Sequence, residues 1–154
     1  SEKKQERCPT YRGCSVCKDW HNFQVFASYY ETNHKEGYHL DKDLLFKGNK
    51  VYSLETCVFV PQHLNNFITG RVSKRGKYKV GVVFNKGSKS KPYQSQINNN
   101  NTGKLVYLGC FSTEEEAYEA WLTAKLQQAL EYKPDMDEID KRIYPNVVEI
   151  IKEM

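Results

Sequence analysis

No stretch of the chain is apolar for the roughly 20 positions that a membrane-crossing helix requires, and no apolar leader follows Ser1. Neither a secreted nor a membrane-embedded protein is expected on that basis. Acidic residues are missing from a long central stretch: residues 56–113 contain no Asp or Glu. The same stretch holds Arg71, Lys74, Arg75, Lys77, Lys79, Lys86, Lys89, Lys91 and Lys104. Such a region suits a polyanion, because each phosphate that it neutralises releases a condensed counterion. The competing reading is a solvated basic face with no partner. The net charge of +4 hides this segregation, since acids crowd together again from Glu114 to Asp140. Disulfide frameworks are also disfavoured, because the five cysteines are odd in number and scattered. Cys14 and Cys17 have zinc-ligand spacing, with Cys8 or His21 available to extend the set. No second CxxC or HxxxH follows to close a tetrahedral site. The alternative is that Cys17 is simply a small buried residue.

What is present points to folded structure. Hydrophobic residues make up 39% and aromatics 13% of the chain, too much apolar material for a disordered one. A length of 154 residues suits one ordinary domain or two very small ones. Trp20, Phe23, Phe26, Ala27 and Tyr30 recur at helical spacing, which predicts a helix over residues 19–30 with Asp19 as its N-cap. Residues 38–60 read as a hairpin with its turn at Lys47, Gly48 and Asn49. Pro61 cannot donate to a sheet ladder but can open a helix over residues 62–68. Three strands are predicted next, over residues 77–84, 92–97 and 105–111. Ser112 with Glu115, or Thr113 with Glu116, makes a capping box for the clearest helix. Ala117, Ala120, Trp121, Ala124 and Leu130 are its expected inner face, and Pro134 its stop. A last short helix is predicted over residues 143–151. The expected class is α+β: a small hairpin-and-helix unit, then a three-stranded antiparallel sheet packed on one helix.

Alternation assigns faces to these strands. Tyr78, Val80, Val82 and Phe84 should face the helix. Lys77, Lys79 and Val83 should face outward, with Gly81 permitting close backbone approach. On the second strand the outward set is either Tyr93, Ser95 and Ile97, or Gln94 and Gln96. The glutamines suit DNA better, since Gln can pair with adenine through two bonds. For most of the lysines, phosphate contact without sequence reading is preferred.

Two resemblances attach to these residues. Gly76-Lys-Tyr-Lys-Val, Val106-Tyr-Leu-Gly-Cys-Phe and Ser112-Thr-Glu-Glu-Glu-Ala-Tyr-Glu-Ala-Trp resemble the APETALA2-type DNA-binding domain. That likeness implies a sheet laid in the major groove of double-stranded DNA with the helix behind it. The stretch from Leu40 to Asn65 resembles the HNH, or ββα-metal, nucleases, specifically a phage homing-endonuclease-like group often joined to the other domain. The two together imply an HNH-like region over residues 1–69 and an APETALA2-type domain with a helical extension over residues 70–154. They also imply a phage-encoded protein acting inside a host cell.

In the HNH pattern an Asp holds a divalent metal, a neighbouring His deprotonates water, and an Asn orients that His. Here Asp41 and Asp43 offer carboxylates that alternation places on one strand face, but no His occupies the base position. Thr56 stands where the orienting Asn would be. Asn65 matches the final ligand, with His63 and Asn66 as other choices, and His39 shares the carboxylate face and could act as base. Asp41, Asp43 and Asn65 would hold magnesium or manganese through oxygen ligands. The competing reading is that the two Asp residues cap the hairpin and pair with Lys47 or Lys50. The expected function is a metal-dependent DNA endonuclease directed by a basic sheet. Its alternative is a non-cleaving DNA-binding protein on the same scaffold, and a third reading is an acidic protein-interaction module.

Overall fold

The structure, a computed structural model, describes residues 11–69, 77–100 and 102–154, and its class is α+β. The chain divides into two compact units, Ser1–Asn65 and Asn66–Met154.

In the first unit, β1 (Ser15–Val16) runs parallel to β3 (Val51–Tyr52), and β2 (Tyr38–Asp41) is antiparallel to β4 (Val58–Pro61). Helix α1 (Phe23–Asn33) is shorter at its start than the apolar spacing predicts. Asp19–His21 is a separate 3-10 turn, and Asn22 is the N-cap, its side chain accepting from the Gln24 amide. The hairpin expectation is also corrected. Its outgoing arm ends at Asp41, and Val51–Tyr52 pairs with β1 instead of joining β4. The cause is the apolar pair Leu44 and Leu45, both buried, which takes the chain out of the sheet and into the core. Cys57, Phe59, Val60 and Leu64 are buried in the same unit. Trp20 joins this core through rings: its centroid lies 4.8 Å from that of Tyr29, which stacks on Phe59 at 5.8 Å. Helix α2 (Gln62–Thr69) begins directly after Pro61, as expected, and its last residues belong to the second unit.

The second unit is the sheet β5 (Val82–Phe84), β6 (Tyr93–Asn98) and β7 (Leu105–Phe111), antiparallel in that order. It packs on α3 (Glu114–Glu131), which α4 (Lys133–Ile139) and α5 (Ile143–Lys152) follow. The capping box is Thr113 with Glu116. Helix α3 buries Ala117, Trp121, Lys125 and Ala129, a stripe at spacings of four. Leu130 was expected on this stripe and is instead exposed; Lys125, a charged residue, takes an inner position. Pro134 sits in the first turn of α4, which the sequence reading did not separate.

The first strand of the sheet is shorter than alternation predicts, because residues 77–81 turn. Val82 N–H donates to the Lys79 carbonyl at 3.1 Å, and Gly81 has a φ of +76°. Folding back stacks Tyr78 on Phe84 with ring centroids 5.5 Å apart. Gly81 lies against the helix: a Cβ there would come within 2.0 Å of Trp121 Cδ1. Its lack of a side chain serves the Trp121 contact, not approach to a ligand. Ser95, across from Val82, is fully buried, and its hydroxyl has no hydrogen-bond partner among the described residues.

Lys125 is 9% exposed, and its ammonium donates to the Phe67 carbonyl at 2.9 Å. The ammonium also lies 3.5 Å from the centroid of the Phe67 ring. Burial pulls its pKa down to about 8, against an ordinary value of about 10.4.

Two stability predictions result. Gly81→Ala should cost about 2–5 kcal/mol, combining left-handed strain with overpacking against the indole; chemical denaturation at pH 7 measures it. For Lys125 the unfolded chain binds more protons than the folded one between pH 8 and 10.4, so this residue makes stability rise with pH there. The stability difference between the native chain and Lys125→Met should be flat below pH 7. It should then shift in favour of the native chain by up to about 1.4 kcal/mol per pH unit above pH 8.

Candidate nucleic-acid interface and carboxylate corner

Register fixes the two faces of the three-stranded sheet. Ser95 and Ile97 are buried and face α3. Gln94 lies between Val83 and Cys110, and Gln96 opposite Tyr107, so these five side chains share the outer face. Of the two alternatives for β6, the glutamine set is therefore the outward one. A bulge shapes this surface. Ser95 pairs with Gly109 but Gln96 with Tyr107, leaving Leu108 as an extra residue on β7. Residues three apart on a regular strand point to opposite faces; across the bulge, Tyr107 and Cys110 meet. The Tyr107 hydroxyl donates to Cys110 Sγ at 2.9 Å, and that bond raises the pKa of the phenol. Leu105 and Tyr107 are each 60% exposed, so the outer face carries apolar and aromatic surface beside its amides. Neither Tyr107 nor Leu105 was singled out from the sequence. The bulge that places Tyr107 beside Cys110 leaves no mark in simple alternation.

The lysines are not all on that face. Lys86, Lys89 and Lys91 are exposed on the β5–β6 connection, Lys104 is exposed before β7, and Lys77 is exposed near the Tyr78 ring. None of these five is ion-paired among the described residues. Lys79 differs. Its amide donates to Glu114, its ammonium lies 3.5 Å from Glu115, and the same ammonium sits 5.0 Å from the centroid of the Tyr118 ring. The expectation that Lys79 points outward is corrected: the turn before β5 aims it at the acidic first turn of α3. Arg71, Lys74 and Arg75 lie outside the described residues.

The carboxylates of the first unit form a different arrangement from the one expected. Asp41 is the last residue of β2, and its Oδ1 accepts from the amides of Asp43 at 2.7 Å and Leu44 at 2.9 Å. This is an Asx turn that steers Leu44 into the core. Burial raises the pKa of the Asp41 carboxyl, outweighing the two amide donors that favour its ionised form. Asp43 lies past the strand end, so strand alternation does not place it with Asp41. Both Asp43 oxygens accept from the Lys42 ammonium at 2.7 Å. Lys42 is itself buried and donates also to the Asn49 carbonyl at 3.0 Å, while Asn49 Nδ2 donates back to the Lys42 carbonyl. Among the described residues, the lysine held here is thus Lys42. Thr56 fixes the same loop, donating to the Val51 carbonyl at 2.7 Å. His39 is exposed on β2, and Asn65 is half-buried on α2. Among the described residues, no three His, Cys, Asp or Glu side chains cluster where they can hold a metal ion. Cys14, Cys17 and His21 form no such cluster, and the ring nitrogen Nε2 of His21 lies 3.2 Å from the Val16 carbonyl oxygen; Cys8 lies outside the described residues. No described helix is long and apolar enough to cross a membrane.

Comparison with protein-family models, with curated proteins and with solved structures found no match to this chain.

The corner yields a substitution test. Asp41→Asn keeps the acceptor for both amides and removes a charge whose burial opposes folding at neutral pH, so its stability should equal or exceed that of the native chain. Asp41→Ala loses the turn bonds and should cost about 1–2 kcal/mol, the usual magnitude for a lost cap. Asp43→Ala leaves the buried Lys42 ammonium without its carboxylate and should cost about 1–3 kcal/mol, discounted because Asp43 is itself half-exposed. Urea titration of the three variants ranks them.

Proposed function

We propose that the chain binds double-stranded DNA through the outer face of the β5–β7 sheet and does not cut it. One observation carries this reading. The sheet face turned away from α3 presents Gln94, Gln96 and Tyr107, and the sequence that builds it contains no carboxylate. A small antiparallel sheet fits the major groove, where Gln side chains can read adenine edges through paired bonds. Lys86, Lys89 and Lys91 stand together on the loop that enters β6, exposed and without ion pairs among the described residues, as phosphate contacts require. The acidic first turn of α3 belongs to the helix side, so it does not oppose DNA on the outer face. The resemblance of residues 70–132 to the APETALA2-type domain points the same way.

The carboxylate corner favours binding over cleavage. A catalytic metal needs open carboxylate oxygens beside a base. One Asp41 oxygen is committed to two amides, and both Asp43 oxygens are bonded to a buried ammonium. Metal-dependent cleavage by Asp41, Asp43 and Asn65, with His39 as base, would require magnesium or manganese to displace Lys42 from Asp43.

Affinity for duplex DNA should fall steeply with salt, and replacing Lys86, Lys89 and Lys91 together by Ala should reduce the log–log salt slope by about 2–3. Filter binding over a salt series reads this slope, and an unchanged slope would move the phosphate grip elsewhere. Gln94→Ala and Gln96→Ala should shift sequence preference more than overall affinity in a selection from random duplexes. Supercoiled plasmid incubated with magnesium or manganese should remain intact. Nicking that chelator stops and Asp43→Asn abolishes would restore the nuclease reading.

A further inference from the structure

Between α3 and the helix-facing end of the sheet lies a cavity of about 500 Å³, within the range of about 300–1,000 Å³ typical of small-ligand sites. Among the described residues, Lys125 is the only charged side chain in its wall. Its ammonium spends one bond on the Phe67 carbonyl, and no carboxylate pairs with it among the described residues. An ammonium has three donors, and a buried cation without a counter-charge is costly to fold around. The rest of the wall is mixed. Trp121 supplies an aromatic surface, while Asn66 and Asn100 supply carboxamides. Each carboxamide presents a donor and an acceptor. A simple anion needs donors alone. A heterocycle with alternating donors and acceptors on its edge, attached to an anionic group, uses all three features of this wall.

We propose that this cavity binds a nucleotide, its phosphate on the Lys125 ammonium and its base against Trp121 and the carboxamides. None of the loop lysines proposed to hold duplex phosphates lines this cavity, so the two sites are separate. The same chemistry is offered by a free nucleoside monophosphate or by the phosphorylated end of a strand. The depressed pKa of Lys125 accords with a cation that lacks its counter-charge; a bound phosphate would supply one.

Calorimetric titration of the full chain tests this with adenosine monophosphate, adenosine and inorganic phosphate as separate probes, followed by the other bases. The expected result is saturable, one-site binding of at least one nucleoside monophosphate, with the matching nucleoside and inorganic phosphate both weaker. Lys125→Met should weaken it about 10–100-fold, the effect of losing a hydrogen bond to a charged group. This variant removes a buried charge, so it is expected to remain folded, and its unfolding transition verifies that. Asn66→Ala, an exposed position, should weaken binding of the nucleotide but not of inorganic phosphate. Competition by a 5′-phosphorylated single-stranded tetranucleotide would identify a strand end as the ligand; its absence would identify the free nucleotide. No saturable binding by any nucleotide, equal affinity for inorganic phosphate, or unchanged affinity in Lys125→Met would each overturn the assignment. Ala at Lys86, Lys89 and Lys91 should leave nucleotide binding intact; loss there would place the ligand on the outer face and overturn it as well.

Discussion

Trp121 in the middle of α3 and Gly81 at the entry to β5 form the contact from which the second unit takes its geometry. The indole lies where a Cβ at position 81 would stand. That closeness sets how near the helix comes to the sheet, and only a residue without a side chain permits it at a φ of +76°. The consequence runs outward along the sheet. With Val82 inward beside Trp121, register sends Ser95 and Ile97 inward and Gln94 and Gln96 outward. The polar outer face is thus the reverse side of an apolar packing decision. The same contact leaves Lys125, one turn further along α3, inside the unit rather than on its surface.

The first unit is governed by a different constraint, the need to turn a strand sharply and bury Leu44 and Leu45 directly after it. Asp41 and Asn49 meet that need with side chains that replace backbone partners: Asp41 accepts two amides, and Asn49 bridges the carbonyls of Lys42 and Val51. Lys42 is drawn into the loop and held by Asp43 and the Asn49 carbonyl. Residues that resemble a metal-binding pattern in sequence therefore have structural duties here. A carboxylate that serves as turn acceptor and one that neutralises a buried lysine are less available to a cation than two open ones on a strand face.

Much of this architecture was legible in the sequence, and the failures have identifiable causes. The helix α3, its capping box, the strands β6 and β7 and the helix α2 follow from periodicity, turn residues and Pro61. These are local signals. The shortened β5 was not legible, because Lys77 to Phe84 alternates well and the turn is imposed by Tyr78 stacking on Phe84 and by Gly81 meeting Trp121. Lys79 was read as outward for the same reason. Lys125 was missed because charge suggests solvent, and only the four-residue stripe of α3 argues otherwise. At the carboxylate corner the sequence permitted both a metal pair and a capping role. Distances, not residue types, distinguish them.

Charge segregation ties these points together. The three glutamates of the first turn of α3 complement the positive end of the helix dipole, where they contribute to capping. Two of them also engage Lys79, drawing one of the basic residues of the acid-free stretch to the helix side. The lysines left over, at positions 77, 86, 89, 91 and 104, have no ion pair among the described residues. A polyanion approaching the unit meets repulsion at the start of α3 and attraction at the β5–β6 loop. If the unit binds DNA as proposed, this charge pattern favours the face carrying Gln94, Gln96 and Tyr107, which the acid-free stretch builds. Long-range steering of this kind acts through the lysines; on the proposed reading, discrimination falls to the two amides and to the phenol that the bulge at Leu108 brings beside Cys110.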